Sequence, residues 1–281
     1  MMTLKKAIEV VRKNLPVEGY MNAAKGANIA RTVLKYLKPP AKILDFGAGR
    51  GDNTAILSML GFECSACDDL REYWHMIPGN REKILNFARK FNIRYCVIDG
   101  ETKLPFEKSE FDILMMLDVL EHLHNSPRDL VNELLEFVKP GGYFLITVPN
   151  AVHLMKRIRV VLGRTNLPSF EYYYWYPGTC KSHIREYVRD DLVKLCKYLS
   201  LDILELHGCH HMLDAVPAFL RPLWVVFTGI LTSGRDSWLL VVKKKLGWTP
   251  KKSLSQEELN TIFGHYPSYL EFSVFRSDLG R

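Results

Sequence analysis

No apolar run in this chain is long enough to cross a membrane. Such a helix needs about 20 residues, and the apolar stretch at 216–232 is interrupted by Pro217, Arg221 and Pro222. Residues 1–13 carry charges throughout. They lack the apolar centre of a signal peptide and are expected to form an amphipathic helix. Internal repeats and low-complexity segments are also missing. Cysteines are few, six in 281 residues, and scattered. Cys64 and Cys67 form a C-x-x-C, but on an expected strand, where residues three apart point to opposite faces. That excludes a shared metal or a redox disulfide at this pair, and a reduced, cytoplasmic chain is the simplest expectation. There is no acidic excess: 38 basic residues against 31 acidic give a net charge of +7. Nucleic acid, an anionic membrane surface or an anionic substrate are all compatible with that balance.

What is present is a globular pattern of alternating elements. Apolar residues make up 47% and charged residues 25%, enough for a sizeable core. A helix is expected over 21–37, with Ile29, Val33, Leu34 and Leu37 on one face, ended by Pro39-Pro40. Strands are expected at 41–46, 62–68, 92–99, 111–119 and 143–148. Helices fall between them at 52–60, 80–90 and 126–138. The unbroken apolar run at 113–117 fits burial on both faces of a parallel sheet. Regular alternation of this kind gives right-handed crossovers and a doubly wound α/β sheet. Further on, a helix at 189–199 leads to strands at 201–206 and 238–242. Residues 151–182 and 209–236 read as insertions, and the tail from 247 as a polar appendage.

The chemistry gathers at the strand ends, where open α/β sheets bind their ligands. The segment ILDFGAGRG at 43–51 runs from strand into a tight turn with glycines at 47, 49 and 51. Its backbone can approach a ligand closely. Asp45, Asp68, Asp99 and Asp118 each lie at or near a strand end. Asp68 follows Asp45 by 23 positions (68 − 45), near the spacing at which an acid on the second strand reaches ribose hydroxyls. The third glycine of a G-x-G-x-x-G turn is missing, and Asp52 would repel a pyrophosphate at the helix start. These features count against a dinucleotide oxidoreductase. A nucleoside cofactor without phosphates, bearing an ammonium and a sulfonium, suits the acid-lined pocket.

At this point a family likeness appears. ILDFGAGRG, CDD at 67–69, IDGETKLPFEKSEFDILMMLDVLEHL at 98–123, KPGGYFLITVPN at 139–150 and HIREY at 183–187 together resemble a class I S-adenosylmethionine-dependent methyltransferase of the type 11 or type 23 group. The resemblance covers residues 25–150 most strongly. It implies S-adenosyl-L-methionine as cofactor and a Rossmann-like, seven-stranded, mostly parallel sheet whose last strand runs antiparallel. It also implies that Asp45, Gly47 and Gly49 surround the methionine end and that Asp68 takes the ribose hydroxyls. Asp69 would flank the adenine, with Leu70 as the alternative. Asp99 and Gly100 would meet the adenine amino group, while Leu117 and Asp118 line the floor near the sulfonium.

Four segments are expected: N-terminal helices at 1–40, a cofactor-binding half at 41–150, a second half with the two insertions at 151–245, and a C-terminal extension at 246–281. Methyl transfer to oxygen usually needs a base. His122, just after the fourth strand, and His183, before the later helix, are the candidates. The expected acceptor is a small molecule or a lipid- or sugar-linked one, methylated on oxygen and covered by the insertions. Residues 151–165 and 216–232 are candidate contacts with a membrane surface. RNA methylation and a non-catalytic cofactor-binding protein are the alternatives. No dedicated nucleic-acid module is visible. No metal is expected, because His207, Cys209, His210 and His211 lie in one short stretch without a second ligand pair.

Overall fold

The computed structural model describes residues 2–17, 21–98, 104–165, 167, 169–176, 182–213 and 216–263. Two helices lead in. Helix α1 (Leu4–Lys13) is capped by the Thr3 hydroxyl, which accepts from the Lys6 amide at 3.3 Å, and it buries Ala7 and Val11. Helix α2 (Ala23–Tyr36) starts at Asn22, whose side-chain oxygen accepts from the Lys25 amide at 2.9 Å. Strand and helix then alternate: β1 (Lys42–Phe46), α3 (Asp52–Met59), β2 (Glu63–Asp68), α4 (Asn80–Lys90), β3 (Arg94–Val97), β4 (Phe111–Leu117), α5 (Pro127–Glu136) and β5 (Val138–Pro149). Ser126 and the first-turn Pro127 set the start of α5. Beyond them come α6 (Leu154–Val161), the short α7 (Phe170–Tyr174), α8 (Arg189–Tyr198), β6 (Asp202–Cys209), α9 (Arg221–Ile230), β7 (Ser237–Lys243) and α10 (Gln256–Phe263).

The seven strands form one sheet in the order β3-β2-β1-β4-β5-β7-β6. Pairs among β1 to β5 are parallel, and β7 runs antiparallel to both neighbours. The expected mixed, mostly parallel architecture is therefore present. The apolar run of β4 supplies both layers. Ile113, Met115 and Leu117 join the core beneath α1, α2 and α3, while Leu114 and Met116 join the core beneath α5 and α8. Cys64 and Cys67 likewise fall in different layers, and both are free thiols.

Three boundaries differ from the sequence reading. Strand β5 starts at Val138 and not at 143, because its pairing with β4 shifts register between Phe111 and Ile113 and absorbs the irregular Pro140-Gly141-Gly142. Strand β6 runs past the expected end at 206 to Cys209, so Cys209 pairs with β7 and does not belong to the insertion. Strand β3 ends at Val97, and the expected site residues Asp99 and Gly100 lie outside the described residues.

The two insertions meet beyond the carboxyl end of β5. Fully buried Asn150 holds them: its amide donates to the Ser233 and Arg235 carbonyls at 2.8 Å each, and its oxygen accepts from the Val152 amide at 3.0 Å. The Arg157 guanidinium adds a contact to the Ser233 hydroxyl at 3.2 Å. Among the described residues no helix is long and apolar enough to cross a membrane. Asn150→Ala removes the Asn150 donor from the part-buried Arg235 carbonyl and leaves the Ser233 carbonyl only its 3.4 Å contact with Arg157, at a cost of about 1–3 kcal/mol. Limited trypsin digestion should cut faster after Arg159 and Arg235, one in each insertion, while far-UV circular dichroism keeps its shape; an unchanged cleavage rate would refute the pinning role.

Candidate functional site

The carboxyl ends of β1, β2 and β4 converge on the glycine turn. Gly47 has φ +74°, and a Cβ there would come within 2.4 Å of Val119 Cγ2, so only glycine fits both the conformation and the space. The Gly47 and Ala48 amides donate to the Cys67 carbonyl at 2.8 and 3.1 Å, which clamps the turn to β2. Asp68 ties the same turn from the other side. Its Oδ2 accepts from the Gly49 amide at 2.8 Å and its Oδ1 from the Leu70 amide at 2.7 Å. Tyr95 reaches over from β3 and donates to the Gly49 carbonyl at 2.6 Å. Asp69 accepts from the Arg71 amide at 2.9 Å.

Asp45 is buried beneath this turn. Its Oδ2 accepts from the Thr54 hydroxyl at 2.6 Å, while Oδ1 has no hydrogen-bond partner among the described residues. Burial raises its pKa to about 7, against the lowering pull of Thr54 and Lys25. Asp118 follows β4 in a left-handed conformation, φ +58°, an uncommon one for a non-glycine residue and of the kind that gathers at ligand sites. The Thr147 hydroxyl donates to its Oδ1 at 2.7 Å, and the Lys25 ammonium of α2 donates to Oδ2. Burial would raise the Asp118 carboxyl, but the Lys25 charge outweighs it and holds it low. Leu117, the last residue of β4, is buried beside it.

One helical turn further, Glu121 lies fully buried with neither carboxylate oxygen hydrogen-bonded among the described residues. Burial, helped by the Asp118 charge, lifts its pKa to about 8. Its main-chain carbonyl accepts from the Ile184 and Arg185 amides at 2.7 and 3.3 Å, which joins the HIREY segment to the end of β4. That junction brings His122 and His183 together, ring centroids 5.0 Å apart. His183 Nδ1 lies 2.8 Å from Glu186 Oε1, and Glu186 also pairs with the Lys156 ammonium. Burial lowers His183 to about 4, so it stays neutral at physiological pH and is a weak proton acceptor. Two further histidines bond within the fold: His210 lies 3.2 Å from Asp236 and 2.9 Å from the Thr228 hydroxyl, and His211 contacts Cys209 Sγ at 3.3 Å.

Two charged side chains of this cleft have roles that no sequence pattern carries. Lys25 carried no motif; only the fold of α2 over the strand ends brings it to Asp118. Glu121 lay in the EHL motif and was legible as a neighbour of His122, but nothing in the sequence announces its burial.

An open α/β sheet with a glycine turn and acids at three strand ends is a nucleoside-cofactor fold of the methyltransferase type. Residues 17–206 match the family model described as a methyltransferase domain, and the chain belongs to the class I S-adenosylmethionine-dependent methyltransferases. It is 23% identical over 167 residues to the ubiquinone biosynthesis O-methyltransferase of Rickettsia bellii, a span covering 59% of this chain and 64% of that protein. It is 32% identical over 106 residues to the demethylmenaquinone methyltransferase of Corynebacterium efficiens, covering 38% of this chain and 40% of the relative. The chain thus matches less than two thirds of the length of these relatives. A methyltransferase structure from Archaeoglobus fulgidus shares the fold, with a TM-score of 0.53 and 19% identity over 80% of this chain and 95% of that one.

The residues fit the family's cofactor. The unpartnered oxygen of Asp45 is an acceptor for an ammonium, and at Gly49, where a Cβ would meet only His75 at 4.0 Å, the backbone beside it is uncovered. In the absence of ligand, the buried Asp45 carboxylate is a liability. Its folded pKa of about 7 lies above the unfolded value of 3.8. Its contribution is most favourable below about pH 4 and is lost as pH rises through 7. Asp45→Asn should therefore stabilise the ligand-free protein at pH 8 by about 2 kcal/mol, and much less at pH 5. Thermal melts at the two pH values check this; equal shifts at both would contradict it.

Proposed function

We propose that this protein transfers a methyl group from S-adenosyl-L-methionine to an oxygen of a small, apolar or lipid-linked acceptor. The observation that carries the reading is the buried, half-partnered Asp45 beside the left-handed glycines. When bound, the cofactor supplies a methyl group already activated on a sulfonium. The chain's own residues bind, orient and exclude water. Asp45, with Gly47 and Gly49, receives the methionine end. Asp68, held at the turn by the Gly49 and Leu70 amides, takes the ribose hydroxyls. Asp69 lies against the adenine side, and Leu117 and Asp118 form the floor beneath the reacting centre. Asp99 and Gly100 complete the adenine site in this proposal. His122 takes the acceptor's proton. His183, neutral and held by Glu186, orients the acceptor beside it.

In this proposal the cofactor is held by residues 41–150, and the acceptor is covered by the insertions at 151–182 and 209–236. Support comes from their surfaces. Helix α9 exposes Leu223, Val226, Phe227 and Ile230, and α6 exposes Ile158 and Val161 beside Arg159. A rim of apolar side chains with basic neighbours suits an amphipathic acceptor presented at an anionic membrane surface. The named relatives include ubiquinone biosynthesis O-methyltransferases, which fits a quinone-like acceptor class.

Isothermal titration with S-adenosylhomocysteine should give tight binding and none with NAD; the reverse result would refute the reading. The affinity should fall about tenfold per pH unit below 7, because Asp45 must lose its proton to face an ammonium. Asp45→Asn should abolish that slope. Asp68→Asn should weaken binding by at least about tenfold, from the loss of a charge-assisted acceptor. With radiolabelled methyl donor and membrane lipid extract, label should enter the organic phase. His122→Ala should cut this by about 10²-fold or more with cofactor affinity unchanged.

A further inference from the structure

We propose that Glu121, His122 and His183 form a site for one divalent transition-metal cation at the acceptor end of the cleft. Their candidate ligand atoms, one from each side chain, all lie within 4.8 Å of one another. Metal bonds of about 2.0–2.2 Å hold neighbouring donors roughly 3–4 Å apart. Side-chain shifts of about an ångström or less would close the set.

Two independent observations point to a cation. First, Glu121 is fully buried and both its oxygens lack a hydrogen-bond donor among the described residues. A buried carboxylate is tolerable when protonated, paired or bound to a metal. The nearby ammonium, Lys25, donates to Asp118. Second, His183 is oriented as metal-bound imidazoles are. Its Nδ1 sits 2.8 Å from Glu186 Oε1, and Glu186 is fixed by Lys156. A proton on Nδ1 directed at that carboxylate leaves Nε2 as the electron-pair donor. The main-chain bonds from Ile184 and Arg185 to the Glu121 carbonyl lock the two ligand-bearing segments together, so the set is built before any ion arrives.

One carboxylate and two imidazoles favour Mn²⁺, Fe²⁺, Co²⁺ or Zn²⁺ over Mg²⁺ or Ca²⁺, which prefer all-oxygen shells. Three protein ligands leave positions open for oxygens of the acceptor. A hydroxyl bound there would lose its proton more readily, so with an ion in place His122 and His183 act as its ligands, and His122 serves as the proton acceptor only in the metal-free protein. This use rests on the methyl-transfer reading; the binding of the ion does not.

The test is metal uptake by the full chain after dialysis against chelator. Titration with Mn²⁺ followed by the loss of the free-ion electron paramagnetic resonance signal should give one equivalent per chain, and Co²⁺ should give visible absorption bands. Glu121→Gln and His183→Ala should abolish stoichiometric uptake, and Glu186→Gln should weaken it by about 10–100-fold. His210→Ala, outside the cluster, should leave it unchanged. S-adenosylhomocysteine titration of each variant reports folding of the cofactor half. Wild-type protein that binds S-adenosylhomocysteine but takes up no metal, or uptake that survives both Glu121→Gln and His183→Ala, would overturn the proposal and leave the cluster as a proton relay. Uptake with the expected variant pattern, but without S-adenosylhomocysteine binding, would uphold the metal site and sink the methyl-transfer reading.

Discussion

The cleft turns on how one ammonium is shared among two buried acids, Asp45 and Glu121, and the half-buried Asp118. Lys25 donates to Asp118, and its charge also acts on Asp45 and Glu121. It is strong enough to keep Asp118 ionised against burial, because the two groups touch. At Asp45 and Glu121 burial wins, and both carboxyls are raised. The ligand-free protein therefore carries more buried acid than it has positive charge to balance. Stability given up at such positions is the common cost of a site prepared for a cationic ligand. A cofactor with an ammonium would relieve one of these acids, and a divalent ion the other.

The sheet makes this arrangement possible. Parallel strands bring the carboxyl ends of β1, β2 and β4 to one edge, and the backbone around the glycine turn satisfies itself there. Gly47 and Ala48 donate to Cys67, and Gly49 donates to Asp68. The turn is therefore rigid before any ligand binds, which lowers the ordering cost of binding. The two insertions, proposed above to cover the acceptor, are built differently. Their helices α6 and α9 are short and bury almost none of their own side chains, and they are held through Asn150 and Arg157.

Much of the fold was legible because its signals are local. Hydrophobic periodicity, Ser126-Pro127, Pro39-Pro40 and the run at 113–117 each act within one element. The boundaries that moved, at β5 and β6, moved because strand pairing is a non-local gain. Pairing with β4 draws Val138 into the sheet, and pairing with β7 draws in His207 and Cys209. In the site, Asp45, Asp68 and Asp118 were legible from their places after apolar runs. Glu121 and Lys25 were not, since burial and partnership are properties of the assembled cleft.

The sequence by itself determined the sheet's strands, the glycine turn and the acids beside it, because these follow from spacing along a single strand-turn-helix unit. Only the tertiary structure decided which groups share a charge, which carboxylates are stranded from water, and that His122 and His183 face each other. Those outcomes depend on α2 folding over the strand ends and on the 183–187 segment bonding to Glu121, contacts between residues about 60 to 90 positions apart. No local pattern encodes them, because their energy is realised only once the chain between has closed.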